Sequence, residues 1–82
     1  MSKSIESSIR EIMAIVFKVD VAEITDDLSA VNFERWDSLA HMNLLVALEE
    51  EFDIRFPDEM LGDLASVKLV DLLVKEVLAD SQ

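Results

Sequence analysis

The chain contains no cysteine, a single histidine, one proline, one glycine and one tryptophan. Without cysteine, neither a disulfide nor a thiolate metal site can support the fold, and any thiol chemistry has to come from outside the polypeptide. Long apolar runs are missing too. Runs such as Leu44 to Leu48 fall far short of the roughly 20 residues that span a bilayer, and Met1-Ser2-Lys3-Ser4-Ile5-Glu6 has no secretory apolar region. Positive charge is scarce: seven Lys and Arg face eighteen Asp and Glu, a net charge of −11. Such a balance repels nucleic acid and anionic lipid and favours partners with basic surfaces, although solubility alone also accounts for so much acid. No Asp-x-Asp-x-Asp-Gly loop occurs and His41 has no second ligand at metal-binding spacing, so no metal site is expected. These absences point to a soluble, cytoplasmic, monomeric protein that neither inserts in membranes nor binds nucleic acid.

What remains is 82 residues, 51% of them apolar, enough for one domain, 1–82, that buries about 60–65% of its unfolded surface. Ile5, Ile9, Ile12, Met13, Val16 and Phe17 recur at spacings of three and four, predicting a helix over about 4–18 with Glu6 and Arg10 paired on the solvent side. Residues 19–37 form a long connection, since helix-to-helix links in small bundles usually take about two to eight residues. Val21, Ile24, Leu28, Val31 and Phe33 are its candidate anchors, with a helical turn around residues 21–24. A second helix is expected over 38–52, carrying more apolar residues than one core stripe needs. Ile54 and Phe56 alternate around Arg55 as an extended connector. Pro57, Asp58 and Glu59 then open a short helix, 58–62, closed by Gly62. Ser66 caps a last helix over 66–79 with Val67, Val70, Leu73, Val74, Val77 and Leu78 inward, and with Asp71 and Lys75 as an i,i+4 pair. The fold class is all-α: an antiparallel bundle of three longer helices and one short one, with a long loop between the first two.

The stretch from Trp36 to Phe52 holds the candidate chemistry. Asp37 and Ser38 both suit the cap of the helix that follows, and capping is the commoner use of such residues. With two in a row, Asp37 can take the cap and leave the Ser38 hydroxyl spare in the first turn, where unpaired N–H groups and the positive end of the helix dipole favour an attached phosphate. Catalysis by the chain itself is not expected. His41 is three residues past Ser38, but no carboxylate is identified to orient its ring. Trp36 is read as a packing residue that fixes the approach to Ser38. Met42 and Val46 are candidates for a surface rim beside it. Glu49, Glu50 and Glu51 sit at the end of the helix where the dipole disfavours them, so either attraction of basic partner surfaces or a merely solvated face is needed to explain them.

Asp37-Ser38-Leu39, followed at helical spacing by Leu48-Glu49-Glu50-Glu51-Phe52, resembles the modification site and second helix of the acyl carrier protein family. The likeness runs from about Ile5 to Val77 and includes Ile24-Thr25-Asp26-Asp27, Phe52-Asp53-Ile54-Arg55-Phe56-Pro57 and Ser66-Val67. It implies a non-enzymatic carrier whose serine, here Ser38, bears a 4′-phosphopantetheine arm. A phosphopantetheinyl transferase attaches the arm from coenzyme A, and its thiol holds acyl groups as thioesters. It further implies roles for Asp37 and Leu39 at the attachment site, and for Leu39, Met42, Val46, Glu49 and Glu50 in contacts with acyl-activating, condensing or acyl-transfer enzymes of fatty-acid, polyketide or related biosynthesis. Entry of the carried chain between helices near Leu48, Met60 and Leu64 is also implied. The pattern departs from that of fatty-acid carriers, which have glycine shortly before the triplet and acids two and five positions after the serine. Here Glu34-Arg35-Trp36, Ala40 and Asn43 occupy those places, which points to a specialised, stand-alone carrier. A carrier for amino acids or other carboxylates would share these features, and an unmodified acidic interaction module is the alternative of a different class.

Overall fold

Apolar residues spaced for one helical face, each run opened by a capping side chain, produce three helices in a computed structural model that describes residues 4–80. Helix α1 spans Ile5–Phe17, α2 spans Ser38–Phe52 and α3 spans Val67–Asp80. Residues 1–3, 81 and 82, the ends of the expected 1–82 domain, lie outside the described residues. Ser4 caps α1 by accepting the Ser7 N–H at 3.1 Å, and Ser66 caps α3 by accepting the Leu69 N–H at 3.1 Å. Two helices end on non-glycine residues in the left-handed region, Lys18 at φ 60° and Asp53 at φ 53°. That conformation lets the Val19 N–H reach the Ala14 carbonyl at 3.0 Å and the Ile54 N–H reach the Glu49 carbonyl at 3.1 Å, satisfying carbonyls the helix end would leave unpaired.

Helix α1 packs against both α2 and α3. Its Ile9, Met13 and Phe17 meet Leu44, Leu45 and Leu48 of α2 and Val67, Val70 and Val74 of α3 in one buried core. Ile54 and Phe56 join that core while Arg55 stays exposed, as their alternation requires. No buried polar side chain lacks a partner among the described residues.

The long connection is held by several devices. Ile24 is buried, and Leu28 and Phe33 are partly buried against the core. Val21 and Val31, expected as anchors, are instead exposed, Val31 almost completely at 96%. Backbone bonds replace them: the Ala30 N–H donates to the Ala65 carbonyl at 2.9 Å and the Val67 N–H to the Leu28 carbonyl at 3.0 Å. This isolated antiparallel bridge, centred on Ser29 and Ser66, ties the loop to the start of α3. Asn32 closes the loop on itself, its amide oxygen accepting from the Ser29 N–H at 2.9 Å and its amide nitrogen donating to the Asp27 carbonyl at 3.0 Å.

The charged pairs expected within helices are made between elements. Arg10 donates to both carboxylate oxygens of Asp71, at 3.2 and 3.1 Å, to Asp26 at 2.6 Å and to the Glu6 backbone carbonyl at 3.0 Å. A planar guanidinium suits this forked contact, which fastens α1 to α3 and to the loop. Lys75 therefore pairs with the Glu6 carboxylate across the bundle rather than with Asp71. The short helix is also smaller than expected: one 3-10 turn, Asp58–Met60, followed by turn residues. Gly62 has no positive φ, and a Cβ there would meet nothing within 4 Å; it stops no helix by conformational freedom and instead lies at an open place.

Candidate functional site

Ser38 is the first residue of α2, and Asp37 before it is the cap. The Asp37 carboxylate accepts the Ala40 N–H at 2.8 Å, and the Asp37 carbonyl accepts the His41 N–H at 2.8 Å. With the cap taken, Ser38 is exposed and its hydroxyl has no hydrogen-bond partner among the described residues. A 15-residue helix presents about half a positive charge at this end. An ester phosphate on the Ser38 oxygen would therefore be favoured here without a basic side chain. Lys18 and Arg35 nevertheless stand close by, lining a shallow groove with Asp37, Leu39 and Asn43.

On the other side, Ser38 borders an apolar cleft of about 390 Å³ lined by Ala30, Trp36, Asp37, His41, Met42, Gly62 and Ala65. Its walls come from the long loop, the first turns of α2 and the segment before α3. The loop bridge at Ser29 and Ser66 is thus what sets Ala30 and Ala65 beside the serine. A larger and more polar depression of about 720 Å³ lies near the other end of α2, against Glu49, Glu50, Asp53 and Arg55. The rise of about 1.5 Å per residue puts that end roughly 18 Å from Ser38.

Trp36 is 3% exposed and packs its ring on Phe17, at 5.1 Å between centroids, while Phe17 meets Phe33 edge-on at 5.5 Å. Its indole N–H donates to His41 Nδ1 at 3.1 Å. That bond makes Nδ1 an acceptor, so Nε2 carries the proton and donates to the Leu61 carbonyl at 3.1 Å. His41 is fully engaged in holding three segments together and is not placed as a base for Ser38. Sequence reading treated Trp36 and His41 separately; their position on either side of Ser38, five residues apart, was the available signal.

The remaining candidates on α2 divide by exposure. Leu39, Met42 and Val46 are 72%, 56% and 52% exposed, forming an apolar strip that leads away from Ser38. Glu50 is exposed. Glu49 is half-buried and its carboxylate accepts the Phe56 N–H at 2.9 Å, which fixes the connector after α2 and gives this glutamate a structural reason to stand at the carbonyl end. Among the described residues no group of three or more His, Cys, Asp or Glu is arranged to hold a metal ion. No described helix is long and apolar enough to cross a membrane.

Comparison with known proteins fits this geometry. A family model described as "Phosphopantetheine attachment site" matches residues 7–73. Among solved structures, the chain is similar to the holo acyl carrier protein of Geobacter metallireducens, determined in solution by NMR. The identity is 36% over 93% of this chain and 87% of that one, with a TM-score of 0.81.

Proposed function

This chain belongs to the family of phosphopantetheine attachment-site domains, and from that premise we propose that Ser38 is the attachment residue of an acyl carrier. The protein is a carrier and not an enzyme. The observation that supports Ser38 most strongly is the division of labour at the start of α2: Asp37 caps the helix, and the neighbouring hydroxyl is exposed and unengaged. A 4′-phosphopantetheine group bound there supplies the thiol that a cysteine-free chain lacks, and the thiol carries acyl groups as thioesters. The chain's own residues do the rest. The first turn of α2 stabilises the phosphodiester through its dipole and free N–H groups. Asp37 and Leu39 position the serine for a phosphopantetheinyl transferase, and the tether raises the effective concentration of cargo at each partner.

Partner enzymes engage the exposed strip of Leu39, Met42 and Val46, with Glu50 and the still accessible edge of Glu49 attracting basic groups that speed encounter. Between the strip and Ser38 the local charge is mixed, because Lys18 and Arg35 adjoin Leu39 while Ala40 and Asn43 supply no acid. This supports a carrier for a dedicated fatty-acid, polyketide or related pathway. Its acyl-activating, condensing or transfer enzymes would accommodate cations near the arm.

Intact-mass analysis after incubation with coenzyme A and a transferase tests the reading. One phosphopantetheine should be gained by the wild-type chain and none by Ser38→Ala; modification of the variant, or none of the wild type, would overturn it. Service to general fatty-acid enzymes as good as a housekeeping carrier's would remove the case for a dedicated pathway.

A further inference from the structure

We propose that the groove between Lys18 and Arg35, at the edge of the α2 strip, is an acid-accepting docking point that takes an Asp or Glu side chain of the partner enzyme. The inference rests on Ser38 bearing the arm and on Leu39, Met42 and Val46 meeting the partner. In a chain of net charge −11 acids are plentiful, and the other described cations are drawn to them. Arg10 is paired with Asp26 and Asp71, and Lys75 with Glu6. Arg55 lies in the depression with Glu49, Glu50 and Asp53, and Lys68 acts on Asp27 through space. Lys18 and Arg35 are exposed and make no ion pair among the described residues.

The groove has a volume of about 250 Å³, with apolar walls from Val16, Phe17, Leu39 and Ala40 and an amide from Asn43. Its lining carries two positive charges against one negative, and that acid, Asp37, has a carboxylate oxygen committed to the Ala40 N–H at 2.8 Å. Lys18 stands in left-handed backbone at φ 60°, where glycine would avoid the Cβ penalty. A cation is kept there despite the strain, and such strain concentrates at functional positions. Ser38 borders the cleft on the other side and does not line this groove, so the groove falls to the partner rather than to the arm. Leu39 does line it and is 72% exposed, which makes the groove continuous with the strip. Glu50 lies roughly 18 Å from Ser38 along α2, whereas physiological salt screens charges over about 8 Å. A partner therefore meets the two ends separately, with an acid of its own beside the arm and bases at the far end. That polarity fixes which way round the partner sits on α2 and disfavours one that presents cations at both ends.

The test uses the unmodified full chain, amide NMR spectra at physiological salt, and two synthetic amphipathic helical peptides that share one leucine face. The polar positions of one carry Glu in its N-terminal half and Lys in its C-terminal half; those of the other carry Lys throughout. A nitroxide at the N-terminus of the first peptide should broaden the amides of Lys18, Arg35 and Asn43 more than that of Glu50. The double variant Lys18→Glu/Arg35→Glu, its fold checked by circular dichroism, should bind the first peptide about five- to tenfold more weakly and the all-lysine peptide more tightly. If that variant does not fold, Lys18→Gln/Arg35→Gln should weaken the first peptide alone. Broadening centred on Glu50, an equal response of both peptides to the substitutions, or no binding of the first peptide would overturn the inference. So would shifts of the groove amides that grow with protein concentration, which would place a second copy there, or that follow attachment of phosphopantetheine, which would place the arm there. Failure to gain phosphopantetheine by mass would instead sink the Ser38 reading and leave the peptide measurements unaffected, so the two failures are distinguishable.

Discussion

Replacing Asp37 and Ser38 singly by alanine should have different consequences for stability. The Asp37 carboxylate makes a 2.8 Å bond to the Ala40 N–H, and removing a side-chain cap of this kind costs about 0.5–2 kcal/mol, typically near 1. Ser38 makes no internal bond and lies inside the first turn, so Ser38→Ala should change stability by no more than about 0.5 kcal/mol, as exposed surface substitutions do. For a small domain the urea slope is about 1 kcal/mol per molar. Asp37→Ala should therefore lower the unfolding midpoint by about 1 M, while Ser38→Ala leaves it nearly unchanged. Asp37→Asn, a side chain that caps as well, should restore most of the loss. The measurement is urea unfolding of the unmodified protein followed by circular dichroism, with slopes held equal. The reasoning fails if Ser38→Ala is the destabilising change and Asp37→Ala is neutral, because the hydroxyl would then be the cap.

Other consequences follow from packing, backbone and charge. Leu48→Ala, at a fully buried site, should cost about 2–5 kcal/mol, whereas Val31→Ala should fall within about 0.5 kcal/mol; equal effects in urea unfolding would contradict the core described here. Lys18→Gly should stabilise by a few tenths to about 1 kcal/mol, because left-handed strain at φ 60° exceeds the added entropy of an unfolded glycine. A lower urea midpoint would refute it. The hydrogen bond from Lys75 holds the Glu6 carboxyl below its ordinary range, and the Thr25 hydroxyl does the same for Asp27. Folded, these groups bind protons less readily than unfolded, so their stabilisation is complete above the ordinary carboxylate values, about pH 4. It is lost as pH falls through the lowered ones. Glu6→Gln should make the acid-side decline in unfolding free energy shallower, and an unchanged slope would show that the pair has no such linkage.

Much of this arrangement was legible from local pattern. Apolar spacing located α1, α2 and α3, because a helix that must bury one face writes its period into the chain. The same reasoning marked Met42 and Val46 as a surface rim, and both are exposed. Interactions between distant residues left no comparable trace. Glu6 and Arg10 are correctly spaced for a pair, yet Lys75 and Asp71 compete for them across the bundle, and the folded arrangement gives Arg10 two acids rather than one. Val31 was an anchor by residue type, but the bridge to Ala65 and Val67 holds the loop through backbone atoms that no side-chain pattern reports. The length of the 58–62 helix was overestimated because proline and early acids signal a start equally well for one 3-10 turn. At the candidate site, the Asp37-Ser38-Leu39 triplet and the spare hydroxyl were readable. The partnership of Trp36, His41 and Leu61 was not, since Leu61 lies 20 residues from His41.

Because the chain has no cysteine, a thiol titration most directly decides whether Ser38 carries the arm. Purified unmodified protein should show no thiol. After treatment with coenzyme A and a phosphopantetheinyl transferase, and removal of small molecules, it should show one per chain, and Ser38→Ala treated identically should show none. A wild-type chain that stays thiol-free, or a variant that gains one, would contradict the assignment.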